Sequence, residues 1–145
     1  MVRVKGHRED FFDTGAGPVM LGRQRHQTDP KSPGKMMKNK IIMVFTTCPD
    51  EAIARQFGQH LVGAGLAACV NVVPGISSIY RWQDKIQQDQ EAMMMIKTAA
   101  EHLPEITAWI RQNHPYDLPE VVAVPVVAGH GGYLQWINDA VAAQE

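Results

Sequence analysis

The sequence predicts an α+β fold, a split β-α-β sandwich organised around one long hairpin. Three observations predict it. Residues 67–98 form two arms rich in residues that suit a pleated sheet, separated by the polar triplet Gln83-Asp84-Lys85. Helical patterns flank that hairpin and short apolar runs lie outside them, giving the order β-α-β-β-α-β with one further helix. Finally, an arm of about sixteen residues at roughly 3.3 Å each spans about 50 Å, whereas a domain of roughly 105 residues is only about 35 Å across. The hairpin outruns its own domain, so its far part needs a covering surface, read here as another copy of the same chain.

The run Ile41-Ile-Met-Val-Phe45-Thr-Thr is a short buried strand. Thr47-Cys48-Pro49-Asp50-Glu51 then opens a helix with a hydroxyl cap, an early proline and acidic residues beside the positive dipole end. Ile53, Phe57 and Leu61 make its packed stripe, and Gly63 or Gly65 ends it. In the hairpin, Pro74-Gly75 cannot sit in a regular ladder and predicts a bulge. Ile86, Ala92, Met94 and Ile96 share one parity of the second arm, with Gln87, Asp89 and Glu91 on the other. A second helix runs from Leu103 to Asn113, with Pro104 in its first turn and Ile106, Trp109 and Ile110 facing the core. Residues 120–127 form the next strand, which Pro125 assigns to an edge or an irregularity. Tyr133, Trp136, Ile137, Ala140 and Val141 make an amphipathic last helix. This is the ferredoxin-like arrangement with one extra C-terminal helix.

Charge separates the folded part from what precedes it. Residues 1–40 carry nine Lys/Arg against four Asp/Glu, net +5; residues 41–145 carry five against eleven, net -6. A domain at that charge is a poor nucleic-acid binder and a mild attractor of cations. Residues 1–39 lack sustained periodicity and are read as a flexible leader: a native tail, a start placed too early or vector-derived sequence. The domain occupies 40–145. No apolar run approaches the roughly 20 residues of a membrane span. Cys48 and Cys69 form neither a disulfide framework nor a zinc pattern, so a reducing cytoplasm is expected.

Enzymatic motifs are absent: no GxGxxG, Walker loop, GxSxG or HExxH occurs. Polar residues beside structural punctuation remain. His114-Pro115-Tyr116-Asp117-Leu118-Pro119-Glu120 is either a rigid loop whose histidine caps the preceding helix or a ligand or metal site. Cys69 is a small buried residue, a copper ligand or a reactive thiolate. Cys48, at or next to the first helix N-cap, is the better candidate for a reactive thiol. Lys97 snorkels, binds an anion, or pairs with Glu91 or Glu120. Met93 to Met95 fill the core or offer thioethers, Tyr80 and Trp82 suit packing or subunit contacts, and His130 has no obvious partner.

Taken together, several of these blocks resemble the CutA family, the divalent-cation tolerance proteins. They are Leu66-Ala-Ala-Cys-Val-Asn71, Pro74-Gly-Ile-Ser-Ser-Ile-Tyr-Arg-Trp82, Ile96-Lys-Thr98, His114-Pro-Tyr116 with Pro119-Glu120, and Tyr133-Leu-Gln-Trp-Ile137. The resemblance runs from about Ile41 to Ala140. It implies a ferredoxin-like subunit in a homotrimer held by intersubunit strand pairing, PII-like in plan. It also implies a link to copper and other divalent cations, with no settled catalytic activity. Carried over, a small ligand is expected at Lys97, Tyr80, Trp82, Tyr116 and Glu120. Exchangeable Cu or Zn is expected at His114 with Glu120 or Cys69. No residue receives a catalytic role. Some relatives have a cysteine where this chain has Thr46. The expected partners are the chain itself and divalent metal, without nucleic acid or membrane. The alternatives are a small enzyme using a cysteine or the His114/Glu120 pair, and a scaffold for an unidentified protein partner.

Overall fold

A computed structural model describes residues 40–142, and the expected leader at 1–39 lies outside the described residues. The elements are β1 (Ile41–Cys48), α1 (Glu51–Gly63), β2 (Cys69–Trp82), β3 (Lys85–Ala99), α2 (Leu103–Asn113), β4 (Val122–Pro125) and α3 (Gly131–Val141). A short 3-10 turn at Ala100–His102 leads into α2. The strands form one antiparallel sheet in the order β2-β3-β1-β4, the ferredoxin-like topology the element order predicts.

Alternation along the strands gives the sheet two unlike faces. On one face Ile42, Val44 and Cys48 of β1 and Ala92, Met94 and Ile96 of β3 pack against Ala54, Phe57 and Leu61 of α1 and Ile106 and Ile110 of α2. α1 lies close to the sheet because Gly58 has no side chain: a Cβ there would stand 3.2 Å from a Val70 methyl. On the opposite face, strand register sets Val124, Met43, Lys97 and Cys69 in one row across all four strands. Val122, Phe45, Met95 and Asn71 form the next row, and Met93 with Val73 continues it. α3 reaches this face through Tyr133, which bonds to Lys97. It leaves much of the face bare, with Val122 50% and Val124 42% exposed.

The hairpin carries the expected bulge. Register shifts between Val73 and Ile76, and Gly75 takes φ 68, a conformation that suits glycine. Beyond it, β2 and β3 pair only with each other, and Ile79 and Ile86 are 68% and 73% exposed. The turn is tighter than the polar triplet predicts. Lys85 pairs with Trp82, so the loop is Gln83-Asp84 alone, with φ 48 and 61. Both residues are left-handed, the geometry of a two-residue hairpin turn whose twist matches its strands.

Two expectations need correcting. β1 continues through Cys48, which pairs with Ala92, so Thr47 is a strand residue rather than a helix cap. The cap is Asp50, whose carboxylate accepts the Ile53 N–H at 2.9 Å. The apolar stripe of α3 also divides: Ile137 and Val141 are buried, while Tyr133, Trp136 and Ala140 are exposed.

Candidate functional site

His114 occupies the junction of α2 with the loop to β4. Its backbone N–H donates to the Ile110 carbonyl, closing the helix, but its ring turns away from the helix end. Nε2 lies 2.7 Å from the Thr47 carbonyl, and Nδ1 accepts the Tyr116 N–H at 3.0 Å. With Nδ1 an acceptor, Nε2 carries the proton and donates it to Thr47. The ring is fully buried, 5.8 Å from the Phe57 ring and 4.6 Å from the Tyr116 ring. Neither nitrogen keeps a lone pair for a metal while this packing holds.

Tyr116 is also buried, and its hydroxyl donates to the Glu91 carboxylate at 2.8 Å. Glu91 is buried in turn, at the base of the free part of the hairpin. The proline-flanked loop therefore pins three elements together: the end of β1 through Thr47, the end of α2 through Ile110 and the hairpin through Glu91. Among the described residues no group of three or more His, Cys, Asp or Glu side chains could hold a metal ion. Within one chain, the donor set His114, Glu120 and Cys69 does not fit a bound metal.

Cys48 is not the reactive thiol its position suggests. It is fully buried on the helix-covered face, and its Sγ contacts the Met94 sulfur at 3.7 Å. Burial first, then the carboxylates of Asp50 and Glu91, push its thiol up to about 12. Cys69 is partly exposed at the start of β2, with Sγ 3.8 Å from the Asn71 amide oxygen. Neither thiol has an imidazole as its hydrogen-bond partner, the arrangement a nucleophilic cysteine would need.

The remaining candidates lie far apart in the chain. Lys97 pairs with Met43, whereas Thr47, the acceptor for His114, pairs with Met93; four strand residues separate those positions, roughly 13 Å. Trp82 pairs with Lys85, twelve positions from Lys97 and roughly 40 Å along the strand. Tyr80 is half-buried on the free hairpin and bonds to Asp89. Glu120 is exposed just before β4. One subunit thus does not gather Lys97, Tyr80, Trp82, Tyr116 and Glu120 into one pocket. Lys97 instead donates to the Tyr133 hydroxyl at 3.2 Å, a partner 36 residues away that no local pattern announces. His130 also has a role: Nδ1 accepts the Tyr133 N–H at 3.2 Å, capping α3.

The described residues contain no helix long and apolar enough to cross a membrane. Residues 42–140 match the family described as CutA1 divalent ion tolerance protein. The human Protein CutA is 47% identical over 98 residues, covering 68% of this chain and 55% of the human one. The Thermus thermophilus divalent-cation tolerance protein CutA is 42% identical over 97 residues, covering 67% of this chain and 94% of that protein. The chain thus spans little more than half of the human relative but nearly all of the bacterial one. A crystal structure of CutA1 from Oryza sativa superposes with a TM-score of 0.72 at 36% identity, covering 75% of this chain and 100% of the rice chain.

Proposed function

The chain belongs to the CutA1 divalent ion tolerance family, and from that membership we propose that it serves divalent-cation tolerance as a homotrimer with ligand sites in its subunit clefts. Each cleft would hold an exchangeable divalent metal or a small ligand. What supports an assembly is the uncovered half of the sheet. Val122 and Val124 stand exposed beside Met43 and Phe45, and a two-stranded hairpin with Ile79 and Ile86 in the open projects beyond the core. An isolated two-stranded hairpin is marginal in water, and a bare apolar face marks an interaction surface.

The two edge strands, β2 and β4, are different surfaces. Pairing β2 of one copy with β4 of the next is a head-to-tail contact, which closes into a ring when the rotation permits. Three copies are the number the family resemblance implies. A cleft formed this way would bring together residues that one chain keeps apart. Copper or zinc would be cargo there rather than a resident group, drawing on the accessible donors Cys69 and Glu120. His114 could join them only if its bonds to Thr47 and Tyr116 opened. The function assigns no catalytic step, and the two free cysteines support a reducing cytoplasm as its compartment.

Calorimetric titration of the full-length protein with Cu(II) and with Zn(II) tests the ligand half of the proposal. Saturable binding should persist without residues 1–36 and weaken in Cys69→Ser or Glu120→Gln. Loss of all binding on removing residues 1–36 would assign the signal to His7 and His26 and contradict the cleft site.

A further inference from the structure

Lys97 places a charge in the middle of an otherwise apolar row, between Met43 on β1 and Cys69 on β2. It is half-buried. Its Nζ donates to the Tyr133 hydroxyl at 3.2 Å and stands 5.4 Å from the centroid of that ring. Among the described residues no carboxylate forms an ion pair with it. Partial burial of a charge without a counter-charge is costly. The two carboxylates the sequence offers as partners lie elsewhere, Glu91 bonded to Tyr116 and Glu120 just before β4.

The pair also has donors to spare. An ammonium has three N–H groups and spends one on Tyr133; the phenol, having accepted that bond, still has its own O–H to give. Donors on two atoms 3.2 Å apart suit the two oxygens of one carboxylate. A phosphate would bring a second charge and further oxygens that this pair leaves unanswered. Beside the donors, the Tyr133 and Trp136 rings stack with centroids 5.5 Å apart and planes at 27°, and both are exposed. Exposed flat apolar surface next to charged donors suits a ligand that is flat and apolar at one end and anionic at the other.

We infer that Lys97, Tyr133 and Trp136 form a binding site for a small aromatic carboxylate. Its carboxylate is held by Lys97 Nζ and Tyr133 Oη, and its ring lies against the Tyr133–Trp136 pair. All three residues belong to one chain, the site rests on the proposed trimer leaving them open at its cleft, and the ligand has the opposite charge to a metal. This site can therefore fail while the metal proposal holds, and the reverse.

Titration of the full-length protein with sodium benzoate, followed by tryptophan fluorescence and by NMR shifts, tests it. Acetate, inorganic phosphate and neutral benzamide serve as comparison probes. Benzoate should bind saturably, and each comparison probe should bind about tenfold more weakly or worse. Lys97→Met should reduce benzoate affinity by about tenfold or more, and Lys97→Arg should retain most of it. If Lys97→Met does not fold, Tyr133→Phe keeps the ring, removes only the hydroxyl, and should weaken binding about fivefold. Unchanged affinity in Lys97→Met or Tyr133→Phe would overturn the site. So would benzamide binding as tightly as benzoate, phosphate binding as tightly as benzoate, or no saturable benzoate binding at all.

Discussion

Replacing His114 by alanine separates a structural lock from a ligand. The ring is fully buried and serves two backbone groups, the Thr47 carbonyl at 2.7 Å and the Tyr116 N–H at 3.0 Å. His114→Ala leaves both groups unpaired, at about 1–3 kcal/mol each. It also opens a cavity between Phe57 and Tyr116, in a class of change that costs about 2–5 kcal/mol. The terms overlap because the same collapse that closes the cavity can re-pair a backbone group. A total of about 4–6 kcal/mol is expected, a large share of the roughly 5–15 kcal/mol that holds a domain folded. The assay is equilibrium urea unfolding with chelator present, at one protein concentration, because assembly and folding are coupled. A residue that acts only as a metal ligand would leave the metal-free midpoint alone. A loss below about 1 kcal/mol, inside the ordinary range for surface changes and modest repacking, would refute the lock.

Three further outcomes follow from the fold. Alkylation near neutral pH should label Cys69 and spare Cys48 until the chain unfolds, because Cys48 is fully buried and its thiol is pushed up to about 12. The stability that this protonated thiol lends is whole below pH 9.0, the ordinary value of the group, and is lost as pH climbs toward about 12; thiolate absorbance during an alkaline titration reads it. At the hairpin tip, Gln83→Asn with Asp84→Gly places residues that accept positive φ where φ is 48 and 61. It should raise stability by about 1 kcal/mol in thermal unfolding, and a loss would mean that these side chains make contacts worth more than the backbone relief.

The sequence revealed most where backbone chemistry is local. Pro104 early in α2 and Pro115 just beyond it bracket a helix whose bounds, Leu103–Asn113, are those read from the residues. Pro74-Gly75 announced the bulge for the same reason. Thr47 misled because a hydroxyl before a proline and two acids looks like a cap. The competing signal was alternation: Ile42, Val44, Thr46 and Cys48 share one parity, and all four are buried. Strand pairing with β3 carried β1 one residue further than the run read from the sequence, through Cys48, and left Asp50 to do the capping.

The candidate site was less legible because its contacts are distant in sequence. Nothing near His114 shows that its ring folds back onto Thr47, 67 residues away. Lys97 and Tyr133 meet only because α3 crosses the open face of the sheet. A periodic stripe shows that a helix has an apolar side, and not which part of that side the domain itself covers. Tyr133 and Trp136 shared the stripe with Ile137 and Val141 yet remained exposed.

The claim on which the cleft depends is assembly, and light scattering on the full-length protein across a wide concentration range tests it most directly. A mass three times the 16.1 kDa of one chain should hold down to dilute solution. The mass should fall when Phe45→Glu puts a charge on the open face. A parent that scatters as a stable monomer at every concentration would leave the face and the hairpin without a covering copy, and would contradict the account.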